Sequence, residues 1–250
     1  MNKRLMFSAA VVMTLLSANA QKRAFTIEDL YRVKGVSSVS LSPDGKTVCY
    51  TASSSDLKNQ KSGSDIYIMN ADGSHAKALT EDGKSSSAVW SKDGKSIFFT
   101  NYEKGTAQIF RMDLTTCETE QVTDYELGIG SPVISPDERY IAFTAEVYPD
   151  LGADAKANKA RMEKKEQGPV QAHIADKLLY RHWTSYNDGR CNHLILFDTQ
   201  TKTYKDLTPG NYSLIFVVGG GITYQFSPDS KEICFVSNHD EHQEASTNAD

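Results

Sequence analysis

The sequence predicts an all-β fold, a β-propeller of four-stranded blades, with three blades, half of a fourth and a helical insertion. Three observations predict this fold. One turn motif occurs four times, a second hairpin follows it in three units, and the first three turns begin 49 and then 44 residues apart. The composition agrees, because 250 residues with 24% charged residues and a net charge of −5 can bury a sizeable core and offer no basic surface for nucleic acid.

Residues 1–20 have the pattern of a secretory signal peptide. Lys3 and Arg4 are basic, residues 5–16 form an apolar run too short to span a bilayer comfortably, and residues 18–20 (Ala-Asn-Ala) offer small side chains for cleavage. The alternative is an amphipathic core helix. We expect cleavage at the end of this segment, export to the periplasm or the medium, and a mature chain without a membrane span.

The repeated turn begins with Ser and has Asp at its third position. An apolar residue precedes each turn, and a triplet of mostly strand-forming residues follows it at the same offset. Pro presets the backbone angle and Asp with Gly forms the turn, so each unit predicts a β-hairpin in which the Asp is structural rather than catalytic. The four turns are Ser42-Pro43-Asp44-Gly45-Lys46, Ser91-Lys92-Asp93-Gly94-Lys95, Ser135-Pro136-Asp137-Glu138-Arg139 and Ser227-Pro228-Asp229-Ser230-Lys231.

A second hairpin completes each of the first three units and ends in an apolar-Thr pair. Its first strands are Ile66-Tyr67-Ile68-Met69, Ile109-Phe110-Arg111-Met112 and Leu194-Ile195-Leu196-Phe197, and the closing pairs are Leu79-Thr80, Val122-Thr123 and Leu207-Thr208. A single blade cannot bury both of its faces, so the units must stack around an axis. The partial propeller is predicted over residues 36–250, with blades at about 36–80, 87–123 and 131–208 and an incomplete fourth blade at 222–250.

The third interval, from Ser135 to Ser227, is 92 residues long and contains only one closing hairpin. Two blades could fill this length, but one blade agrees better with a single hairpin. We therefore predict an insertion at about residues 149–190, between the second and third strands of that blade. Residues 152–167 are rich in Ala, Lys and Glu without an apolar stripe, which predicts a solvated helix, and residues 175–186 are unusually aromatic for a loop.

The repeat resembles the propeller of TolB-type proteins and of the prolyl oligopeptidase family of serine peptidases. Three features favour the peptidases and their dipeptidyl-peptidase V branch: Phe25-Thr26-Ile27-Glu28-Asp29-Leu30 within a lead-in segment at 21–35, Leu179-Tyr180-Arg181-His182-Trp183 followed by Gly189-Arg190 and His193-Leu194, and Gly219-Gly220-Gly221. The resemblance implies that an α/β-hydrolase domain with a Ser-His-Asp triad follows this chain, and that the propeller admits only short peptides. The sequence contains neither a Gly-x-Ser-x-Gly motif nor adjacent Glu residues, so the resemblance assigns no catalytic residue here.

The candidate substrate-binding residues are Arg181, His182, Trp183 and Tyr186. Aromatic rings with a cation could bind an apolar side chain and a backbone carbonyl of a short peptide, or these residues could simply pack the insertion onto its blade. We expect no cofactor and no metal, because Cys and His do not occur at ligand spacings. The expected partners are short peptide substrates and the carboxy-terminal hydrolase domain of the same protein, and homo-oligomerisation is left open.

Two functions are compatible with these observations. The first is the amino-terminal, substrate-gating propeller of an exported serine peptidase that cleaves short peptides and releases dipeptides, with no catalysis by this segment alone. The second is a TolB-like periplasmic propeller that acts as a binding module without enzymatic activity. A downstream Gly-x-Ser-x-Gly elbow followed by Asp and His indicates the peptidase, whereas only further blades indicate the binding module.

Overall fold

A computed structural model of the chain describes residues 23–170, 172–175, 180–182, 184–214 and 222–240. In chain order the elements are α1 (Ile27–Arg32), β1 (Gly35–Leu41), β2 (Thr47–Asp56), β3 (Lys61–Asn70), β4 (Lys77–Ala78), β5 (Ser85–Trp90), β6 (Ser96–Asn101), β7 (Gln108–Asp113), β8 (Thr119–Gln121), β9 (Gly130–Ile134), β10 (Tyr140–Val147), α2 (Ala155–Glu166), β11 (Arg181–His182), β12 (Ser185–Tyr186), β13 (Cys191–Asp198), β14 (Thr203–Asp206), β15 (Tyr224–Phe226) and β16 (Ile233–Phe235). In the described part of the chain, no helix has the length and apolar character needed to cross a membrane.

The strands form three four-stranded antiparallel sheets in which neighbours in sequence are neighbours in space. Their orders are β1-β2-β3-β4, β5-β6-β7-β8 and β9-β10-β13-β14, and β15 pairs with β16 as the start of a fourth sheet. Helix α2 and the small hairpin β11-β12 lie between the second and third strands of the third sheet. The predicted all-β fold of four-stranded blades with a helical insertion is confirmed.

The repeated turn is held by the same hydrogen bonds in all four units. In the third unit, Ser135 Oγ donates to Asp137 Oδ1 over 2.6 Å and accepts the amide of Tyr140 over 2.9 Å. The other turns repeat this pair of bonds. The hydrogen bond from the Ser135 hydroxyl is the main reason why the pKa of Asp137 is lowered. These bonds explain why Ser and Asp recur: they close each turn locally.

The fourth position of the turn lies in the left-handed region, which favours Gly, but two units carry other residues there. Glu138 and Ser230 have φ values of 61° and 63°. Each binds the turn of the preceding sheet: Glu138 Oε1 accepts the amide of Lys92 over 2.5 Å, and Ser230 Oγ accepts the amide of Asp137 over 3.0 Å. These bonds link neighbouring sheets, which offsets the backbone strain.

The closing apolar-Thr pairs lie just after the fourth strands rather than at their ends. The strands β4, β8 and β14 stop two residues before Thr80, Thr123 and Thr208. Each Thr hydroxyl accepts a backbone amide of the neighbouring third strand over 2.9 Å, from Ile66, Ile109 and Leu194 respectively. The side chain thus satisfies an amide that the fourth strand would otherwise pair.

The strand after each turn alternates its side chains between two neighbouring sheets. In the second sheet, Ile97 and Phe99 pack in the cluster shared with the first sheet, whereas Phe98 packs in the cluster shared with the third. In the third sheet, Ala142 packs toward the fourth. Full burial of one large apolar side chain stabilises the fold by about 1.5–3 kcal/mol, so the core depends on the stacking of successive sheets.

Candidate functional site

The insertion begins with a turn and a helix that are fixed to the third sheet by one buried side chain. Asn158 on α2 is fully buried. Its Oδ1 accepts the amide of Tyr148 over 2.6 Å, and its Nδ2 donates to the carbonyls of Gly152 and Asp154 over 3.0 and 2.8 Å. Helix α2 therefore starts at Ala155, three residues later than predicted, because residues 148–154 form the turn that Asn158 holds.

The predicted site residues lie on the hairpin β11-β12. Arg181 is paired in register with Tyr186, so the two side chains project from the same face of the hairpin. The amide of Asn187 donates to the carbonyl of Tyr180 over 2.8 Å and closes the base of the hairpin. Trp183 and the side chain of His182 lie outside the described residues.

An exposed aromatic cluster surrounds Tyr186. Its ring stacks on that of His173 with centroids 3.8 Å apart and planes 4° apart, and the ring of Tyr180 lies 6.5 Å away. Tyr180 and Tyr186 are 47% and 40% exposed, so their faces are available to a ligand. Sequence reasoning did not assign Tyr180 or His173 to the site. Tyr180 belongs to the aromatic run, whereas no pattern in the sequence connects His173 with it.

A cavity of about 620 Å³ lies between α2 and the ends of the second and third sheets. Its lining includes the apolar residues Leu127, Ile129 and Met162 and the charged residues Glu163 and Arg190. Six of the described lining residues are charged, so this is a polar cleft, and its volume lies in the range of sites that bind small ligands. Arg190, which follows the hairpin in the chain, lines this cavity, whereas Tyr180, Arg181 and Tyr186 do not.

A buried His-Asp pair lies beside the insertion, but its geometry is not that of a catalytic base. His193 is fully buried, with Nδ1 2.7 Å from Asp206 Oδ2 and Nε2 2.9 Å from the carbonyl oxygen of Gly210. Burial is the largest single influence and lowers the pKa of His193, but the hydrogen bond to Asp206, the contact with Cys191 and the charge of Asp206 together outweigh it and raise the pKa to about 9. Both ring nitrogens donate to acceptors, so the ring is an imidazolium with no nitrogen left to take a proton from a nucleophile.

Residues 12–167 match the family model described as the TolB beta propeller domain. The chain is 29% identical over 248 residues to Dipeptidyl-peptidase 5 of Porphyromonas gingivalis, which covers 95% of this chain and 35% of that protein. It is 25% identical over 228 residues to the uncharacterized peptidase YuxL of Bacillus subtilis, covering 90% of this chain and 33% of that protein.

The fold is also found in solved structures. Uncomplexed acylaminoacyl peptidase from Pyrococcus horikoshii superposes with a TM-score of 0.57 at 17% identity, over 84% of this chain and 29% of that chain. Identity this low supports the fold alone. The chain spans about 35% of the length of Dipeptidyl-peptidase 5 from Porphyromonas gingivalis. This relative and YuxL confirm the resemblance to the propeller portion of prolyl oligopeptidase-family peptidases.

Proposed function

Because the chain belongs to the family of TolB beta propeller domains, we propose that it is the substrate-gating propeller of a longer serine peptidase that releases dipeptides from short peptides. The observation that carries this proposal is the 29% identity to Dipeptidyl-peptidase 5 over 95% of the chain. In this proposal the nucleophile, base and acid belong to a hydrolase domain outside this chain. The propeller selects and orients the peptide.

The aromatic hairpin is the proposed peptide-contacting surface. Tyr186, stacked on His173, offers a flat apolar face for a substrate side chain, and the exposed Arg181 can donate hydrogen bonds to a substrate carbonyl. His182 and Trp183 complete the proposed site. The cavity of about 620 Å³ that Arg190 lines is large enough to receive one or two residues of a peptide.

Export of the protein is part of the proposal. It is supported by the basic residues, apolar run and Ala-Asn-Ala sequence in residues 1–20. An exported peptidase of this kind would act on peptides outside the cytoplasm.

Substitution of the hairpin aromatics in the full-length protein tests the proposed site. Tyr186→Ala and Trp183→Ala should each raise KM for a dipeptidyl substrate, corresponding to a loss of about 1–3 kcal/mol of binding, with little change in kcat. Thermal stability should hardly change, because the hairpin lies outside the sheet clusters. Tyr31→Ala is the matched control, since Tyr31 is also exposed but lies on α1. A large loss of Tm with unchanged kinetics per folded molecule would assign these aromatics a packing role instead.

A further inference from the structure

The aromatic hairpin reaches the third sheet through a four-residue turn, residues 187–190. Asn187 Oδ1 accepts the amide of Gly189 over 3.1 Å, and Gly189 has a φ of 91°, a conformation that favours Gly. Each strand of the hairpin is only two residues long, and the hairpin forms a sheet of its own. So short a hairpin has little stability of its own, so its orientation depends on contacts outside it, which include the stacking of Tyr186 on His173 and the contacts at its base.

Arg190 makes the largest set of polar contacts at this base. Its Nε donates to both carboxylate oxygens of Asp188 over 2.9 Å, and its Nη1 lies 3.0 Å from Glu146 Oε2 on β10. The same Nη1 contacts Met162 Sδ on α2 over 3.9 Å. One guanidinium therefore joins the hairpin turn, the third sheet and the insertion helix.

The Arg190–Asp188 pair is more buried than an ordinary surface ion pair, whereas the side chain of Glu146 is 63% exposed. The side chains of Arg190 and Asp188 are only 23% and 20% exposed. Burial lowers the pKa of Arg190, but the hydrogen bond to Asp188 and the charge of Glu146 outweigh it, so the pKa lies above its ordinary value. Lys165 Nζ adds a bond from α2 to the carbonyl oxygen of Asp188 over 3.3 Å. Contacts with both β10 and α2 therefore hold the turn.

We propose that Arg190 is a positioning residue, which fixes the aromatic hairpin beside the cavity that Arg190 itself lines, and so sets how tightly a peptide is captured. This inference rests on the proposed function. A lysine could not replace it, because one ammonium group cannot reach the partners that Nε and Nη1 contact on opposite sides of a planar guanidinium.

The test compares three variants of the full-length protein. Arg190→Gln and Arg190→Lys should each raise KM for a dipeptidyl substrate roughly three- to tenfold, with kcat unchanged within about twofold. Arg161→Gln is the matched control. Arg161 forms a bidentate ion pair with Asp150 over 2.7 Å in the same insertion, and neither residue belongs to the hairpin base. This control should leave both constants unchanged.

Hydrogen exchange of the same variants tests the hairpin directly and does not require activity. The amide of Asn187, which closes the hairpin, should exchange faster in both Arg190 variants than in the wild type and in Arg161→Gln. Equal exchange and equal KM in Arg190→Gln and Arg161→Gln would overturn the positioning role. Faster exchange in a full-length protein that hydrolyses no peptide would retain that role and refute the proposed function instead. A fall in kcat with unchanged KM would also contradict the inference.

Discussion

His193 and the equivalent residues of the first two sheets each hydrogen-bond the connection that leads to the next sheet. The residue before the buried apolar residue of the third strand is Asp65, Gln108 or His193. Each binds the connection that leads to the next sheet: Asp65 accepts the amide of Gly83 over 3.0 Å, Gln108 donates to the carbonyl of Tyr125 over 2.7 Å, and His193 faces the carbonyl of Gly210. His193 also binds a carboxylate, because its Nδ1 lies 2.7 Å from Asp206 Oδ2.

The stability of the third sheet should therefore depend on pH between about 6.5 and 9. The pKa of His193 rises from 6.5 to about 9 on folding, so its contribution is fully present below pH 6.5 and is lost as pH rises through 9. At 1.36 kcal/mol per pKa unit, the contribution is on the order of 3 kcal/mol. Thermal melts from pH 6 to pH 10 should show this loss, and His193→Gln should remove most of it. An identical pH dependence in the variant would refute the imidazolium assignment.

At the scale of elements, helix α2 buries very little of its own surface. Asn158 is its one buried residue, and its three hydrogen bonds anchor the start of the helix in place of an apolar stripe. Sequence analysis located the helix from its composition, because Ala, Lys and Glu favour helices. It could not locate the anchor, because an Asn in a polar helix looks like any other solvated residue.

Removing this anchor should loosen the insertion without unfolding the blades. Asn158→Ala leaves the amide of Tyr148 and the carbonyl of Gly152 without their partner, which should cost about 1–3 kcal/mol locally. Amides of α2 should then exchange faster, whereas amides of β6 and β7 should not. Lys156→Ala, at an exposed position of the same helix, is the control. Unchanged exchange of α2 in Asn158→Ala would show that other contacts hold the helix.

At the scale of the whole molecule, the sequence predicted the features that depend on residues close together in the chain. The Ser-Asp turns and the hairpins they close are local, so their repeat indicated four-stranded blades directly. The contacts between sheets were not predictable, because they join residues far apart in sequence. Glu138 binds Lys92 across 46 residues and Ser230 binds Asp137 across 93 residues. The candidate site follows the same rule. Tyr186 was predicted from a local aromatic run, whereas the contacts of His173 and Arg190 form only in the folded insertion.

The first strand of the first sheet has several exposed apolar side chains. Val36, Val39 and Leu41 on β1 are 62%, 65% and 57% exposed. In the second and third sheets, corresponding faces pack against a neighbouring sheet. An exposed apolar face of this kind is a typical interaction surface.

Hydrolysis by the full-length protein decides whether this propeller belongs to a peptidase or to a binding module. We predict that the purified full-length protein releases dipeptides from a dipeptidyl reporter, that a serine-directed inhibitor abolishes this activity, and that residues 21–250 alone have none. The propeller alone supplies no activated serine, because the chain has no nucleophile elbow. Peptide binding without hydrolysis by the full-length protein, or inhibitor-sensitive turnover by residues 21–250, would contradict the account.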